Sequence, residues 1–165
     1  MERSVEATAT LGAAADEIVG LLCRDPRAAL GASANLEASV GLGPTLHRKV
    51  ALTVGRPTRT ADGVRVPLAW RAEAHADLFP TFDGELSVEP SSAATRVRLT
   101  GTYAVPLGLL GRFGDGVLGR RVAQQSVAAW LECVARRLDV AAGASSDAGY
   151  EIGVCEPTGS EISVV

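Results

Sequence analysis

The sequence predicts a single α+β domain in which an antiparallel sheet is covered on one face by a long C-terminal helix. Between residues 46 and 105, apolar and polar side chains alternate with a period of two, and turn-rich segments separate the alternating stretches. Residues 116–140 instead repeat their apolar side chains at helical spacing. The 165 residues suffice for one domain with its own core and are too few for two ordinary domains.

The first predicted strand covers residues 3–11, where four apolar side chains share one face: Val5, Ala7, Ala9 and Leu11. The next stretch, AAADEIVGLLC, repeats its apolar residues at helical spacing and has Asp16 and Glu17 in its first turn, which favours a short helix. Asp25 and Pro26 then interrupt the chain, and a second short helix is predicted over residues 27–30.

A first hairpin is predicted from LHRKVALTV (46–54) and VRVPLAWRA (64–72), which flank a turn-rich segment. In the second of these strands, alternation assigns one set of residues to the apolar face: Val64, Val66, Leu68, Trp70, Ala72, Ala74 and Ala76. It assigns the charged residues to the solvent face: Arg65, Arg71, Glu73, His75 and Asp77. The charged stretch RAEAHAD is therefore expected to point away from any interior site.

A second hairpin is predicted from FDGELSVE (82–89) and TRVRLTGTYAV (95–105), with Glu89 opposite Arg96. Its apolar face collects Phe82, Leu86, Val88, Val97, Leu99, Tyr103 and Val105. The other face carries Asp83, Glu85 and Glu89 together with Arg96 and Arg98, and opposite charges across strands are mildly stabilising. One apolar and one charged face predict a sheet that is covered on one side only.

The long helix is predicted over roughly residues 116–140. Its apolar stripe consists of Val122, Val127, Trp130, Leu131, Val134 and Leu138. The last 25 residues, 141–165, hold four acidic and no basic residues and show no periodicity, so an acidic, disordered tail is predicted there. The predicted domain therefore spans residues 1–140.

The hexapeptide GDGVLG (114–119) matches the G-x-G-x-x-G spacing of dinucleotide-binding loops. Such a loop joins a strand directly to a helix within a parallel sheet, whereas here the preceding strand ends near residue 105 and the sheet reads as antiparallel. The pattern therefore predicts no phosphate site. Two interpretations of this glycine-rich connection stay open: a loosely packed linker, or a lid over residues 109–119 that opens and closes a cavity.

The composition argues against several kinds of partner. Outside the tail, 16 basic residues balance 15 acidic ones, which gives little attraction for nucleic acid. The longest apolar run, AVPLGLLG (104–111), is far shorter than the roughly 20 residues of a membrane-spanning helix, and no secretory signal is visible. We expect a cytoplasmic protein of bacterial, GC-rich origin, without stable membrane insertion and without a cofactor; the oligomeric state stays open.

The three cysteines, Cys23, Cys133 and Cys155, are odd in number and far apart, and none lies in a C-x-x-C pair or beside a histidine. This spacing supports neither a disulfide framework nor a zinc site. Buried or idle thiols are expected, and no metal ligand is predicted.

The order of the elements and several local motifs resemble the START-like superfamily, also called SRPBCC. It includes polyketide cyclases and dehydrases, lipid-transport proteins and pollen allergens. The resemblance covers residues 3 to about 140 and is carried by VEATATLGAAADEIVGLL, by LFPTFDGELSVEP, and by LTGTYAVPLGLLGRFGD running into RRVAQQSVAAWLECVARRL. It implies the helix-grip fold, in which a long C-terminal helix crosses a curved antiparallel sheet and two short helices follow the first strand. It also implies an apolar cavity between helix and sheet for a hydrophobic small molecule.

Within such a cavity, Trp70 and Tyr103 are the large apolar side chains that also carry a polar atom. Arg48 alternates in phase with Val50 and Leu52, so it is predicted on the same face of the strand as these apolar residues. Simple hairpin register could place it near Trp70, either as a residue at the rim of the cavity or as an anchor for an anionic head group. Small residues such as Gly84 and Gly101 are consistent with an open interior. The predicted ligand-binding residues are Arg48, Trp70, Phe82, Leu86, Leu99, Tyr103, Phe113, Val127 and Trp130.

Three functions stay open from the sequence. The first is a binding or carrier protein for a hydrophobic small molecule such as a lipid, a quinone or a polyketide-like compound. The second is an enzyme of the polyketide cyclase/dehydratase type, using Tyr103, Arg48, His75 or Asp77 to polarise a carbonyl group and move a proton. The third is a partner-binding protein whose cavity is packed shut by Trp70, Phe82 and Trp130. Because alternation places no acid or histidine inside, binding is favoured and no catalytic residue is predicted.

Overall fold

The computed structural model describes residues 2–31, 33–39, 45–73, 81–91, 94–104 and 116–145. Side chains are described in the narrower ranges 4–31, 49–71, 73, 81–91, 94–104 and 124–143. The elements in chain order are β1 (Glu2–Leu11), α1 (Ala15–Arg24), α2 (Pro26–Leu30), β2 (Ser33–Ser39), β3 (Thr45–Val54), β4 (Thr58–Thr60), β5 (Gly63–Ala72), β6 (Thr81–Ser91), β7 (Ala94–Ala104) and α3 (Gly116–Ser145).

The described strands form one antiparallel sheet with the order β1-β7-β6-β5-β3-β2, and β4 pairs with β5. The first strand, the two short helices, both predicted hairpins and the long C-terminal helix are confirmed. The register of the second hairpin is also confirmed, because Glu89 pairs with Arg96 and Val88 with Val97. The antiparallel pairing throughout agrees with the rejection of a dinucleotide-binding unit at GDGVLG.

Two strands are absent from the prediction, β2 and β4. The first, SANLEAS, has Leu36 as its only large apolar residue, so its alternation gives a weak signal. The second has three exposed residues and joins β5 through the turn at Ala61 and Asp62. Gly63 starts β5 with a φ of 156°, and a Cβ there would collide with the Val88 carbonyl of β6.

The core lies between one face of the sheet, called here the inner face, and the helices. Alternate residues of the central strands are buried on this face, including Val64, Val66, Leu68, Leu86, Val88, Val97 and Leu99. From α1 and α3 the core receives Ile18, Val19, Leu22, Val127, Leu131, Val134 and Leu138. Burial of such side chains contributes about 1.5–3 kcal/mol each before the entropy cost is subtracted.

The opposite face of the sheet, called here the outer face, carries ion pairs across neighbouring strands. They are Lys49–Glu73, Arg65–Glu85, Arg71–Asp83 and Arg98–Glu6, with nitrogen–oxygen distances of 3.6, 3.7, 3.2 and 3.6 Å. The outward direction predicted for Arg65, Arg71 and Glu73 is confirmed, whereas the side chains of His75 and Asp77 lie outside the described residues. Asp83 and Glu85 pair with arginines of β5 rather than with those of β7.

Hydrogen bonds hold α3 against the rest of the domain. The Asp139 carboxylate accepts from the backbone N–H groups of Gly12 and Ala13, at 3.3 and 2.8 Å. Half a helix away, the Gln124 amide donates to the Glu6 carbonyl of the edge strand β1 at 2.6 Å. The Arg137 guanidinium donates to the Ala28 carbonyl of α2 at 2.9 Å. Together these bonds set the position of α3 along the sheet.

The long helix continues to Ser145, five residues beyond its predicted end. Ala142 is completely buried, so this last part packs on the domain. The predicted helix is too short because AAGAS (141–145) was assigned to the acidic tail for its small residues, although alanine is the strongest helix former. The predicted disorder beyond Ser145 lies outside the described residues.

The expectation of idle thiols is wrong for one of the two cysteines that the structure describes. Cys23 on α1 is a free, half-buried thiol. Cys133 on α3 is half-buried and disulfide-bonded. Cysteine spacing could not have shown this, because spacing gives no information on which sulfur atoms the fold brings together.

Candidate functional site

Four aromatic side chains lie close together between the inner face and α3, and we call them the aromatic cluster: Trp70, Phe82, Tyr103 and Trp130. The Trp70 and Phe82 rings are stacked, with centroids 4.2 Å apart and planes at 16°. Trp130 of α3 is tilted against Trp70, with centroids 5.5 Å apart and planes at 49°. Tyr103 pairs with Phe82 across β6 and β7. The sequence predicted all four for the ligand site, and the structure brings them together.

The strand register explains why the cluster forms near one end of the sheet. Trp70 lies two residues before the end of β5, Phe82 is the second residue of β6, and Tyr103 is the last but one of β7. Antiparallel pairing therefore aligns the three in one row across the inner face. At this end of the sheet the chain passes from β5 to β6 through residues 74–80, and it leaves β7 for α3 through residues 105–115. The predicted lid of residues 109–119 falls on the second of them, which lies outside the described residues up to 115.

Gly84 and Gly101 do not open the interior, contrary to the expectation from sequence. The two glycines pair with each other across β6 and β7. A Cβ on Gly101 would lie 2.6 Å from the Phe82 Cζ atom and 2.5 Å from the Asp83 carbonyl oxygen. The Phe82 ring therefore fills the space that the two missing side chains leave. The alternation along each strand predicted that these glycines lie on the inner face, but it could not show that a neighbouring ring covers them.

One polar atom of the aromatic cluster, the Tyr103 hydroxyl, is buried. Tyr103 is 2% exposed, and its Oη atom has no donor or acceptor among the described residues. A buried polar group without a partner costs about 1–3 kcal/mol. A phenylalanine would fill the same space without that cost, so the packing of the described residues makes no use of the hydroxyl.

The other predicted site residues have different positions. Leu86 and Leu99 pair with each other and are completely buried two rows further along the inner face, and Val127 is buried on α3 one turn before Trp130. The backbone of Arg48 lies in β3 opposite Leu36, whereas the residue opposite Trp70 is Leu52. The Arg48 side chain and the whole of Phe113 lie outside the described residues, so their roles remain predictions.

Two residues next to the cluster were missed by sequence reasoning. Leu52 is buried opposite Trp70 and extends the row of large side chains onto β3. Ser126 is a buried polar residue on α3, four positions before Trp130 and hence on the same side of the helix. Helical spacing from Trp130 was the signal that could have identified Ser126.

The buried interior is almost free of groups for acid–base chemistry or metal binding. Among the residues with described side chains, the buried polar ones are Thr95 and Ser126, and no carboxylate, imidazole or amine is buried. The Thr95 hydroxyl donates to the Ala13 carbonyl at 2.6 Å. The described part of the chain contains no group of three potential metal ligands, and none of its helices is long and apolar enough to cross a membrane.

Neither a protein-family model nor a curated protein sequence matches the chain. Solved structures do match. The crystal structure of Ara h 8.0201 superposes with a TM-score of 0.50 at 11% identity, over 87% of this chain and 99% of that one.

Two further matches have lower TM-scores. DynU16, a protein of the dynemicin biosynthetic locus, matches with a TM-score of 0.45 at 19% identity, over 86% of this chain and 48% of that one. The Zhui aromatase/cyclase from Streptomyces sp. R1128 matches with a TM-score of 0.40 at 17% identity, over 90% and 98%. At 11% identity the match to Ara h 8.0201 concerns the fold alone, and the described elements agree with it: the chain has the helix-grip fold.

Proposed function

We propose that the protein binds a hydrophobic small molecule between the inner face of the sheet and α3, in contact with the aromatic cluster. The observation that carries this proposal is the cluster itself, in which Trp70 stacks on Phe82, Trp130 of α3 is tilted against Trp70, and all three are almost completely buried. Binding sites for small molecules are lined mainly by apolar and aromatic side chains with few polar groups. The described interior has this composition.

The chemistry of the interior favours binding over catalysis. Proton transfer needs a titratable group within reach of the substrate, and alternation directs the charged residues of the described strands to the outer face. A ligand at the cluster would instead be held by burial of apolar area, at about 25 cal/mol per Å², and by contact with the ring faces. Lipids, quinones and polyketide-like compounds all fit this description.

Tryptophan fluorescence offers a direct test, because both tryptophans of the chain belong to the cluster. The apolar dye phenylnaphthylamine absorbs where tryptophan emits, so a dye bound at the cluster receives energy from Trp70 and Trp130. We expect tryptophan emission to fall and dye emission to rise together, in a saturable way, when the dye is titrated into the folded protein.

Val140 provides a matched control for binding elsewhere on the helix. It is 56% exposed on α3, and among the described residues it is the one large apolar side chain with this exposure. Val140→Ser should leave the titration unchanged, since Val140 lies outside the core. The proposal fails if the dye causes no energy transfer, which is the behaviour of a closed cluster and favours the partner-binding alternative. It also fails if Val140→Ser abolishes the transfer.

A further inference from the structure

We propose that Tyr103 is the specificity-determining residue of this site, and that its hydroxyl donates a hydrogen bond to a carbonyl oxygen of the ligand. This inference rests on the proposed function and adds the chemical class of the ligand: a planar hydrophobic compound with a carbonyl group.

The Tyr103 hydroxyl lies inside the protein. Tyr103 is 2% exposed, and its Oη atom has no partner within the described residues. Buried hydroxyl groups in native proteins are nearly always hydrogen-bonded, and those that are not require an explanation. A partner that comes from outside the chain supplies one.

Tyr103 is also a member of the aromatic cluster. It pairs directly with Phe82, and Phe82 stacks on Trp70. A molecule that contacts the ring faces of this row is therefore also next to the tyrosine. Flat aromatic surfaces favour a planar ligand, because offset stacking needs two flat partners.

A carbonyl group is the ligand group that fits the Tyr103 hydroxyl best. A phenol hydroxyl in an apolar environment is stabilised most when it donates a hydrogen bond to a strong acceptor. A carbonyl oxygen is such an acceptor, and unlike a hydroxyl it carries no proton that would need a further partner. An anionic group is disfavoured, because no basic side chain is buried among the described residues to balance its charge. A single neutral hydrogen bond at this place discriminates strongly, since a ligand without the acceptor leaves the hydroxyl unpaired.

The test compares Tyr103→Phe with the wild type, using two probes. Prodan is a planar naphthyl ketone whose emission moves to longer wavelength when its carbonyl accepts a hydrogen bond, and dimethylaminonaphthalene is the same ring system without the ketone. For Tyr103→Phe we expect a roughly three- to tenfold weaker affinity for prodan and a shift of bound prodan emission to shorter wavelength. The affinity for dimethylaminonaphthalene should change less than about twofold.

A second readout needs no ligand. Because Tyr103→Phe removes a buried hydroxyl that has no partner among the described residues, the melting temperature of the ligand-free protein should rise by roughly 2–4 °C. A lower melting temperature would show that the hydroxyl has a partner within the protein, and it would overturn the inference. Equal prodan affinity and emission in the two proteins would overturn it as well, while leaving the proposed function intact. Failure of both probes to bind the wild type would contradict the proposed function itself.

Discussion

The ring of Phe82 connects two features that look unrelated in the sequence. It stacks on Trp70 on one side and covers the Gly84–Gly101 pair on the other. The two glycines permit this arrangement because they have no side chains and lie directly opposite each other. The position of Phe82, and with it the geometry of the aromatic cluster, thus depends on glycine at two places in neighbouring strands.

Gly101→Ala should therefore be strongly destabilising. The new Cβ would approach the Phe82 Cζ at 2.6 Å and the Asp83 carbonyl oxygen at 2.5 Å, and the backbone of β6 cannot move away without disturbing the sheet. We expect the free energy of unfolding to fall by about 2 kcal/mol or more, as measured by urea denaturation.

Gly20→Ala is the matched control for the same chemical change. Gly20 lies inside α1, and a Cβ there would meet no atom within 4 Å. Because alanine favours helix, this variant should gain about 0.5–1 kcal/mol. An unchanged stability of Gly101→Ala would show that Phe82 does not occupy the space above the glycines.

At the scale of elements, α3 is held at several points along its length. Gln124 bonds to the edge strand β1, Asp139 to the connection between β1 and α1, and Arg137 to α2. Since Trp130 lies between the first two of these points, they also determine where its ring meets Trp70. The ion pairs on the outer face contribute less to stability, because exposed pairs of this kind are worth about 0–1 kcal/mol each.

Asp139→Ala should release the C-terminal part of α3. The substitution removes both acceptors for the Gly12 and Ala13 N–H groups, and we expect a loss of about 1–3 kcal/mol in the free energy of unfolding. Hydrogen exchange at these two amides should accelerate relative to the amides of β1.

The exposed Glu132, two turns earlier on the same helix, serves as the control. Glu132→Ala should change the free energy of unfolding by less than about 0.5 kcal/mol. If both variants behave alike, the Asp139 bonds do not hold the helix.

At the scale of the whole molecule, alternation predicted which face is buried in the described parts of β1, β3, β5, β6 and β7, as well as the Glu89–Arg96 register. These features follow from local periodicity, which the sequence displays directly. The short strand β2 was not predicted because Leu36 is its only large apolar residue. The end of α3 was predicted too early because the small residues of AAGAS (141–145) are also typical of a disordered tail. Parity placed Trp70, Phe82 and Tyr103 on one face, but their contact with Trp130 depends on the position of α3.

The Tyr103 hydroxyl marks the limit of such prediction. Whether a buried polar atom has a partner depends on every element packed around it, so no local pattern in the sequence contains the answer. Similarly, glycine at positions 84 and 101 predicted an open interior, whereas the neighbouring Phe82 ring fills this space. Sequence therefore predicted the composition of the candidate site well and its internal packing poorly.

Native mass spectrometry of the freshly purified protein, followed by organic extraction, tests the central claim most directly. We expect a bound hydrophobic compound that is released on denaturation and is planar with at least one carbonyl group. A protein at its bare chain mass that also fails to transfer energy from Trp70 and Trp130 to phenylnaphthylamine would contradict the claim. That result would mean that the aromatic cluster is a closed part of the core.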